Sequence, residues 1–225
     1  MEYEQTLGIF SPDGRLIQVE YAQQASEQGS LVVFSSVPGK ICASIEVKSQ
    51  NKMLVDSMKL FKVDTDQNIW LSYSGLKPDS DKVLECARLI CRNNKLRTGE
   101  DISIDKLAYE LSKFKQKYTL GGDMRPLGIR TVLFYVGSST KIIIVEPDGN
   151  YSEWTSGAVG QKSVKVCDFI EKYKSDDVVD ISVSGLGTVV QSDKNKIMSY
   201  LIQKDGIKTV DSETIDDLIK KISVQ

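Results

Sequence analysis

Histidine is missing from this sequence of 225 residues, and its absence excludes more chemistry than any other feature of the composition. Histidine is the commonest general base and proton shuttle, so neither a Ser-His-Asp nor a Cys-His triad can form. Histidine-ligated zinc sites are excluded for the same reason. Any catalysis must therefore use carboxylates, lysine, tyrosine, or a hydroxyl group activated by an amine.

Cysteine is also scarce, with four residues at Cys42, Cys86, Cys91 and Cys167. No two of them form a Cys-x-x-Cys pair from which a thiolate zinc site could be built. We therefore expect no metal and no cofactor. In a reducing compartment the cysteines are expected to be small core residues rather than disulfide partners.

Long apolar runs and an excess of one charge are absent as well. No apolar run approaches the roughly 18 residues of a membrane span. The stretch 1–5 has neither the basic nor the apolar region of a secretory leader. Lys and Arg number 29 against 31 Asp and Glu, a net charge of −2, which gives no general attraction to nucleic acid or anionic membranes. We expect a soluble protein without either partner.

What the sequence does contain is a succession of blocks. Hydrophobic periodicity predicts strands within 31–73, two helices within 78–114, strands within 129–155, a helix after Gly160, a strand at 197–202 and a helix at 212–222. The region 178–190 is ambiguous because Gly185 and Gly187 interrupt it. This order predicts an α+β fold in which antiparallel sheets are covered by helix layers, within one domain spanning 1–225.

Most candidate motifs have a structural interpretation. No phosphate-binding loop is present, and the glycine pairs at 121–122 and 185–187 do not lie between a strand and a helix. Asp79, Asp81 and the pair 176–177 lie where helices are predicted to begin, which favours surface charges that complement the helix dipole. The basic stretch Lys48, Lys52, Lys59 and Lys62 favours a solvated face.

One run is far more specific. Residues 10–22 read FSPDGRLIQVEYA, a turn followed by a helix, and closely resemble the N-terminal signature of proteasome alpha subunits. The stretches YSGLKPD at 73–79 and YTLGGDMRPLG at 118–128 are similar to that family's sequences at the corresponding places. The turns at 147–149 and 158–160 also match, so the resemblance runs from Tyr3 to about Tyr173.

The resemblance implies a four-layer αββα sandwich of the N-terminal-nucleophile hydrolase type. Residues 1–29 would form the gate segment and its helix, and 30–225 the sandwich. It implies a noncatalytic subunit of the outer seven-membered alpha ring of the 20S core particle. Among alpha subunits the chain is most similar to type 2, and we expect it to be a divergent eukaryotic member of the family. The expected partners are neighbouring alpha subunits, beta-ring subunits and the C-terminal tails of regulatory particles, in the cytoplasm and nucleus.

An alternative is a self-processed hydrolase that uses Ser30, because Gly29-Ser30 precedes the first predicted strand and an N-terminal nucleophile needs such a hydroxyl. Two features speak against it. The acid that follows the second strand in beta subunits aligns near Ile45, with Glu46 expected to face away because side chains alternate along a strand. Self-cleavage before Ser30 would also discard the alpha signature.

Five residues are candidates for binding and gating. Lys62 matches the catalytic lysine of beta subunits. In alpha subunits the residue at that position lines a pocket for the carboxylate of a regulator tail, although a plain surface lysine is an equal interpretation. The gate cluster of the family maps onto Tyr3, Glu4, Pro12 and Tyr21, with Glu4 replacing the usual Asp.

Two further departures from the family lie in the sandwich. Lys40 and Ser44 interrupt a strand that is usually apolar, and Val178–Gln191 lacks a helix-forming composition. We expect the helix in that second region to be shortened or irregular.

Overall fold

Ten strands form two antiparallel sheets in the computed structural model, which describes residues 8–48, 53, 58–64, 67–121, 124–190 and 196–222. The first sheet has the order β10-β9-β2-β1-β8, and the second has the order β3-β4-β5-β6-β7. The strands are β1 Val32–Val37, β2 Lys40–Glu46, β3 Leu60–Lys62, β4 Ile69–Gly75, β5 Ile129–Val136, β6 Thr140–Val145, β7 Tyr151–Trp154, β8 Ser156–Val159, β9 Ile197–Gln203 and β10 Gly206–Thr209.

The described residues form six helices, of which all but the first cover the outer faces of the two sheets. They are α1 Ile17–Glu27, α2 Lys77–Thr98, α3 Ile104–Leu120, α4 Ser163–Lys172, α5 Val178–Val190 and α6 Ser212–Ile222. Helices α2 and α3 pack on the second sheet, where Leu71, Leu107 and Leu133 belong to one buried cluster. Helices α4, α5 and α6 pack on the first sheet through a separate cluster.

The two sheets pack face to face through a third cluster. Its centre includes Phe34 of β1 and Phe134 of β5, whose ring centroids lie 6.0 Å apart in an edge-on arrangement. Alternation along the strands makes this possible, because neighbouring side chains on β5 point to opposite faces of its sheet. The layers are thus helix, sheet, sheet and helix, and the predicted α+β four-layer sandwich is confirmed.

The prediction for the region after Val178 was wrong. Residues 178–190 form the regular helix α5, and Gly185 lies inside it. A Cβ atom at Gly185 would lie 3.2 Å from side-chain atoms of both Val33 and Val166. The glycine therefore allows α5 to pack closely on β1 and α4, whereas the sequence pattern indicated a helix break.

Lys40 and Ser44 interrupt the apolar pattern of β2 but not the strand itself. Strand β2 runs without a break from Lys40, and the Oγ atoms of Ser44 and Ser199 lie 2.8 Å apart in a buried hydrogen bond. A buried hydroxyl group is tolerated in a strand when it has such a partner.

Helix α1 lies outside the four layers and packs against β4 and β5. Its buried residues are Val19, Ala22 and Ser26. Close backbone contact at its end depends on glycine, because a Cβ atom at Gly75, which has a φ of +120°, would lie 2.2 Å from the carbonyl oxygen of Gly128. The glycine of the YSG turn thus allows α1, β4 and β5 to meet.

Candidate functional site

Ser30 lies where α1 ends and β1 begins, and it is the centre of a polar cluster. The residue is only 5 % exposed. The ammonium group of Lys59 donates a hydrogen bond to its hydroxyl oxygen. Because Lys59 directly precedes β3, this contact joins the start of the first sheet to the edge of the second.

The environment of Lys59 disfavours its charged form. Burial lowers the pKa of Lys59, the nearby charge of Lys48 lowers it further, and the carboxylate of Glu46 opposes both effects. The ammonium nitrogen also lies 5.9 Å from the centre of the Tyr73 ring. The expectation that the basic stretch is simply a solvated face was therefore wrong for Lys59.

Glu46 also differs from its predicted orientation. Its Oε2 atom accepts a hydrogen bond from the backbone N–H of Leu31 at 3.0 Å. The carboxylate is thus turned toward the start of β1, next to Ser30, rather than away from it. Glu46 is the last residue of β2, so a long side chain there can reach back along the neighbouring strand.

A hydroxyl group, a lysine and a carboxylate therefore meet at the position of an N-terminal nucleophile, but the free amine is missing. The backbone nitrogen of Ser30 belongs to the peptide bond with Gly29. The carbonyl oxygen of Gly29 accepts from the N–H of Gln161 at 3.1 Å and from the ammonium group of Lys48 at 3.3 Å. Since the amine must serve as the base, the cluster cannot carry out that chemistry in the intact chain.

The role given to Lys62 in a regulator-tail pocket stays a prediction. The lysine whose hydrogen bond to Ser30 is described is Lys59. Lys62 is exposed at the end of β3 and lines a cleft with Arg88, Arg92 and Lys95 of α2. The two lysines are three residues apart, and an odd separation in extended backbone places side chains on opposite sides.

The predicted gate residues are only partly described. Pro12 lies in a turn in which the N–H of Gly14 donates to the carbonyl oxygen of Ser11 at 2.8 Å. Tyr21 lies on α1 and is 46 % exposed. Tyr3 and Glu4 lie outside the described residues, so the cluster of four stays a prediction.

Sequence reasoning missed an ion pair that fixes the turn to α1. The Nε atom of Arg15 donates to Oε1 of Glu20 at 2.8 Å, and a second bond joins Nη2 to Oε2. Both residues belong to the FSPDGRLIQVEYA run, and their opposite charges five positions apart were a signal for this pairing. The bidentate geometry orients the turn relative to the helix.

The prediction that Asp79 is a surface charge was wrong, because its side chain is buried. It is 1 % exposed and accepts hydrogen bonds from both terminal nitrogens of Arg125, at 2.7 and 2.8 Å, and from the N–H of Gly128 at 2.9 Å. Burial alone raises the pKa of Asp79, but the hydrogen bonds from Arg125 and Gly128 outweigh it and hold the pKa below 3.8. This pair fastens the RP segment at 125–126 to the start of α2.

Two features are absent from the described residues. These residues contain no group of three or more Cys, Asp or Glu side chains that could hold a metal ion. None of their helices combines the length and the apolar character needed to cross a bilayer.

Known proteins resemble this chain over nearly its whole length. Residues 34–200 match the family model for proteasome subunits, and residues 3–25 match the model for the N-terminal signature of A-type proteasome subunits. The alpha type-7 proteasome subunit of Dictyostelium discoideum is 31 % identical over 233 residues, covering 99 % of this chain and 92 % of the relative. The alpha type-7-B proteasome subunit of Oryza sativa subsp. japonica is 30 % identical over 232 residues, covering 99 % and 93 %. Neither relative supports the resemblance to type 2.

Proposed function

The chain belongs to the proteasome subunit family, and on that basis we propose that it is a noncatalytic alpha subunit of the outer ring of the 20S core particle. The observation that carries the proposal is the alpha-type signature at 3–25, part of which folds into α1. Helix α1 ends at Glu27, and in the intact chain the Ser30 nitrogen lies in the peptide bond with Gly29. An alpha subunit contributes structure and contacts to the ring, while threonine-protease activity belongs to beta subunits.

The mass of the mature chain tests this function. We expect residues 1–28 to be retained in intact-mass measurements and the chain to purify from cells in a particle of 20S size. The Ser30→Ala variant, as a control, should assemble and support peptide hydrolysis like the unaltered chain. A mature chain that begins at Ser30, or one that purifies outside such a particle, would refute the proposal.

The alternative of a self-processed hydrolase has one observation in its favour. Lys59 contacts the hydroxyl group of Ser30, and two donors bind the carbonyl oxygen of Gly29. Self-cleavage would add the Ser30 hydroxyl oxygen to the carbonyl carbon of Gly29, and these donors would stabilise the negative charge that develops on its oxygen. An electrophile that reacts only with N-terminal hydroxyl residues should label the mature chain if this function is correct. Absence of labelling, together with an uncleaved mass, would eliminate it.

Docking of regulator tails is a separate part of the proposal. The resemblance implies a carboxylate-binding lysine at the position of the catalytic lysine of beta subunits, and the contact of Lys59 with Ser30 supports Lys59 for that position. A second cation, Lys48, acts on the Lys59 ammonium group, and paired cations suit a terminal carboxylate. Lys62 remains a second candidate for binding the tail carboxylate, because the resemblance to the family points to it.

Two variants decide between these lysines in the assembled particle. We expect Lys59→Ala to reduce activator-stimulated peptide hydrolysis and Lys62→Ala to leave it nearly unchanged. The reverse pattern would return the docking role to Lys62. If neither variant changes stimulation, neither lysine binds the tail.

The gate role rests on Tyr3, Glu4, Pro12 and Tyr21. We propose that Glu4 accepts the tyrosine hydrogen bond that Asp accepts in other family members. The Glu4→Asp variant should then keep basal and stimulated peptide hydrolysis, whereas Glu4→Ala should alter the ratio between them. Equal ratios for both variants would exclude Glu4 from the gate.

We also propose the partners and location that this role requires: neighbouring alpha subunits in a seven-membered ring, beta-ring subunits and regulatory particles, in the cytoplasm and nucleus. Fractionation of cells followed by native mass measurement tests both. We assign the chain to the alpha class and to no numbered subtype. The type-7 relatives are only about 30 % identical, and they give no support to type 2.

A further inference from the structure

A lysine that the proposed function does not use lies entirely inside the protein. Lys115 of α3 is 0 % exposed. Its ammonium group donates to the carbonyl oxygen of Ile129 at 3.0 Å and to that of Val145 at 2.6 Å. Ile129 begins β5 and Val145 ends β6, so one side chain connects α3 to two neighbouring strand ends.

Both of these acceptors are uncharged, so they do not neutralise the lysine. Burial lowers the pKa of Lys115 to about 7, while the charges of Glu146 and Asp148 raise it and the charge of Arg130 lowers it. A lysine this far from water is stable in its charged form only with help from nearby anions. Its charge is therefore sensitive to the carboxylates around it.

Those carboxylates lie on the turn to which α1 is attached. The side chain of Gln23 on α1 donates to Asp148 at 3.5 Å. Arg130 of β5 binds Glu146 of the turn and also Glu27 of α1, the latter at 3.3 Å. The turn between β6 and β7 therefore lies between α1 and the buried lysine.

Helix α3 holds the same turn from the other side. The hydroxyl group of Ser112 donates to the carbonyl oxygen of Gly149, and a Cβ atom at Gly149 would lie 3.2 Å from Gln116. Ser112 and Gln116 carry no charge, so Lys115 is the charge that α3 supplies to the cluster. On α1, Val19 and Ala22 are the buried apolar residues, a small area of contact that leaves polar attachments important.

We propose that Lys115 is a positioning residue for α1, whose charge keeps the turn between β6 and β7 in the form that binds this helix. With Lys115 charged, it attracts Glu146 and Asp148, while Arg130 binds Glu146 and Glu27. Without that charge, Arg130 is left to hold the acids of the turn and Glu27 together. Repulsion between Glu27 and the acids of the turn then weakens the attachment of α1.

Attachment of α1 and protonation of Lys115 thus favour each other, because coupling between two sites is reciprocal. A rise in pH through the neutral range should loosen α1 while the four layers stay folded. Any consequence for gating rests on the proposed function, since α1 carries the gate segment only if the chain is an alpha subunit. The attachment itself does not depend on the ring.

Hydrogen exchange of the full chain tests the proposal without any partner. The measured quantity is the protection of α1 amides, corrected for intrinsic exchange rates and divided by that of α6 amides. Between about pH 6 and about pH 8.5 we expect this ratio to fall at least about fivefold, the lower end of usual coupling between linked sites. In Lys115→Met it should be low and independent of pH.

Two further variants keep the test decisive. Lys117 is exposed on the same helix, so Lys117→Met should behave like the unaltered chain. Glu27 is about half exposed, so Glu27→Gln should fold even if Lys115→Met does not, and it should lose most of the pH dependence. A constant ratio in the unaltered chain would overturn the proposal, as would an unchanged pH dependence in Glu27→Gln.

Discussion

The ion pair between Asp79 and Arg125 gives the sharpest prediction about stability. Replacing Asp79 with alanine removes three hydrogen bonds, two from Arg125 and one from the N–H of Gly128. The Arg125 side chain is 57 % exposed, so water replaces its partner and the screened pair is worth only about 1 kcal/mol. The Gly128 N–H is left without a partner in a buried position, at a cost of about 2 kcal/mol.

We therefore expect Asp79→Ala to lower the free energy of unfolding by about 3 kcal/mol, the sum of these two contributions. For a chain of this size that corresponds to a fall in Tm of about 6–12 °C. Scanning calorimetry and urea denaturation measure both quantities. A loss below about 1 kcal/mol would show that the buried N–H of Gly128 finds another acceptor.

In the partner variant Arg125→Ala, we expect the contribution of Asp79 to the free energy of unfolding to change with pH in the opposite direction. In the unaltered chain the pKa of Asp79 is held below 3.8, so its stabilising contribution is present above that pH and lost as pH falls through the lower folded-state value. Without Arg125, the largest remaining effect is burial, which raises the pKa of Asp79. The contribution of Asp79 should then be largest in acid and be lost as pH rises from the acid range toward neutral.

Urea denaturation of both chains across this range provides the measurement. The difference in unfolding free energy between the unaltered chain and Arg125→Ala should increase as pH rises. Parallel profiles would mean that Arg125 does not control the ionisation of Asp79.

Three other predictions concern single residues. Gly29→Ala should lower the unfolding free energy by about 3 kcal/mol, because the new Cβ atom would lie 2.1 Å from a backbone nitrogen. Gly121→Ala serves as the control, since its Cβ atom would be 3.5 Å from the nearest atom. Equal unfolding curves for the two variants would contradict the reasoning. Asn68 donates to the last carbonyls of β5 and β9, at 3.1 and 2.6 Å, and so joins the two sheets. Asn68→Ala should cost about 2 kcal/mol in urea denaturation, and a neutral result would show that water takes over both bonds. Burial raises the pKa of Cys86 to about 11, so iodoacetamide should alkylate it far more slowly in the folded chain than in urea near neutral pH; similar rates in both states would refute this.

The difference between sequence prediction and structure is clearest at the Ser30 cluster. The sequence pattern located Gly29-Ser30 before the first strand correctly. It could not show that Lys59 contacts Ser30, because that contact joins residues at the starts of strands in two different sheets. It also assigned Glu46 the wrong orientation, since alternation describes side chains within a strand and Glu46 is at its end.

Helix α5 is a second example of the same limit. Local propensity indicates a break at Gly185, but the residue lies inside α5, where a Cβ atom would come within 3.2 Å of a side-chain atom of Val33 in β1. Asp79 was placed correctly at a helix start and still misjudged, because its exposure depends on Arg125, which lies 46 positions away in the sequence. Neither contact leaves a local signal.

The order of strands and helices, and hence the layered fold, could be predicted from the sequence, because hydrophobic periodicity and turn residues act over a few neighbouring positions. The run at 10–22 also indicated the family, since so many adjacent matches specify one turn and helix. Which charged residues meet could be learned only from the folded chain: Lys59 with Ser30, Asp79 with Arg125, and Lys115 with two strand ends. Such pairings depend on distances between elements that are far apart in the chain, and those distances are fixed only when the layers pack.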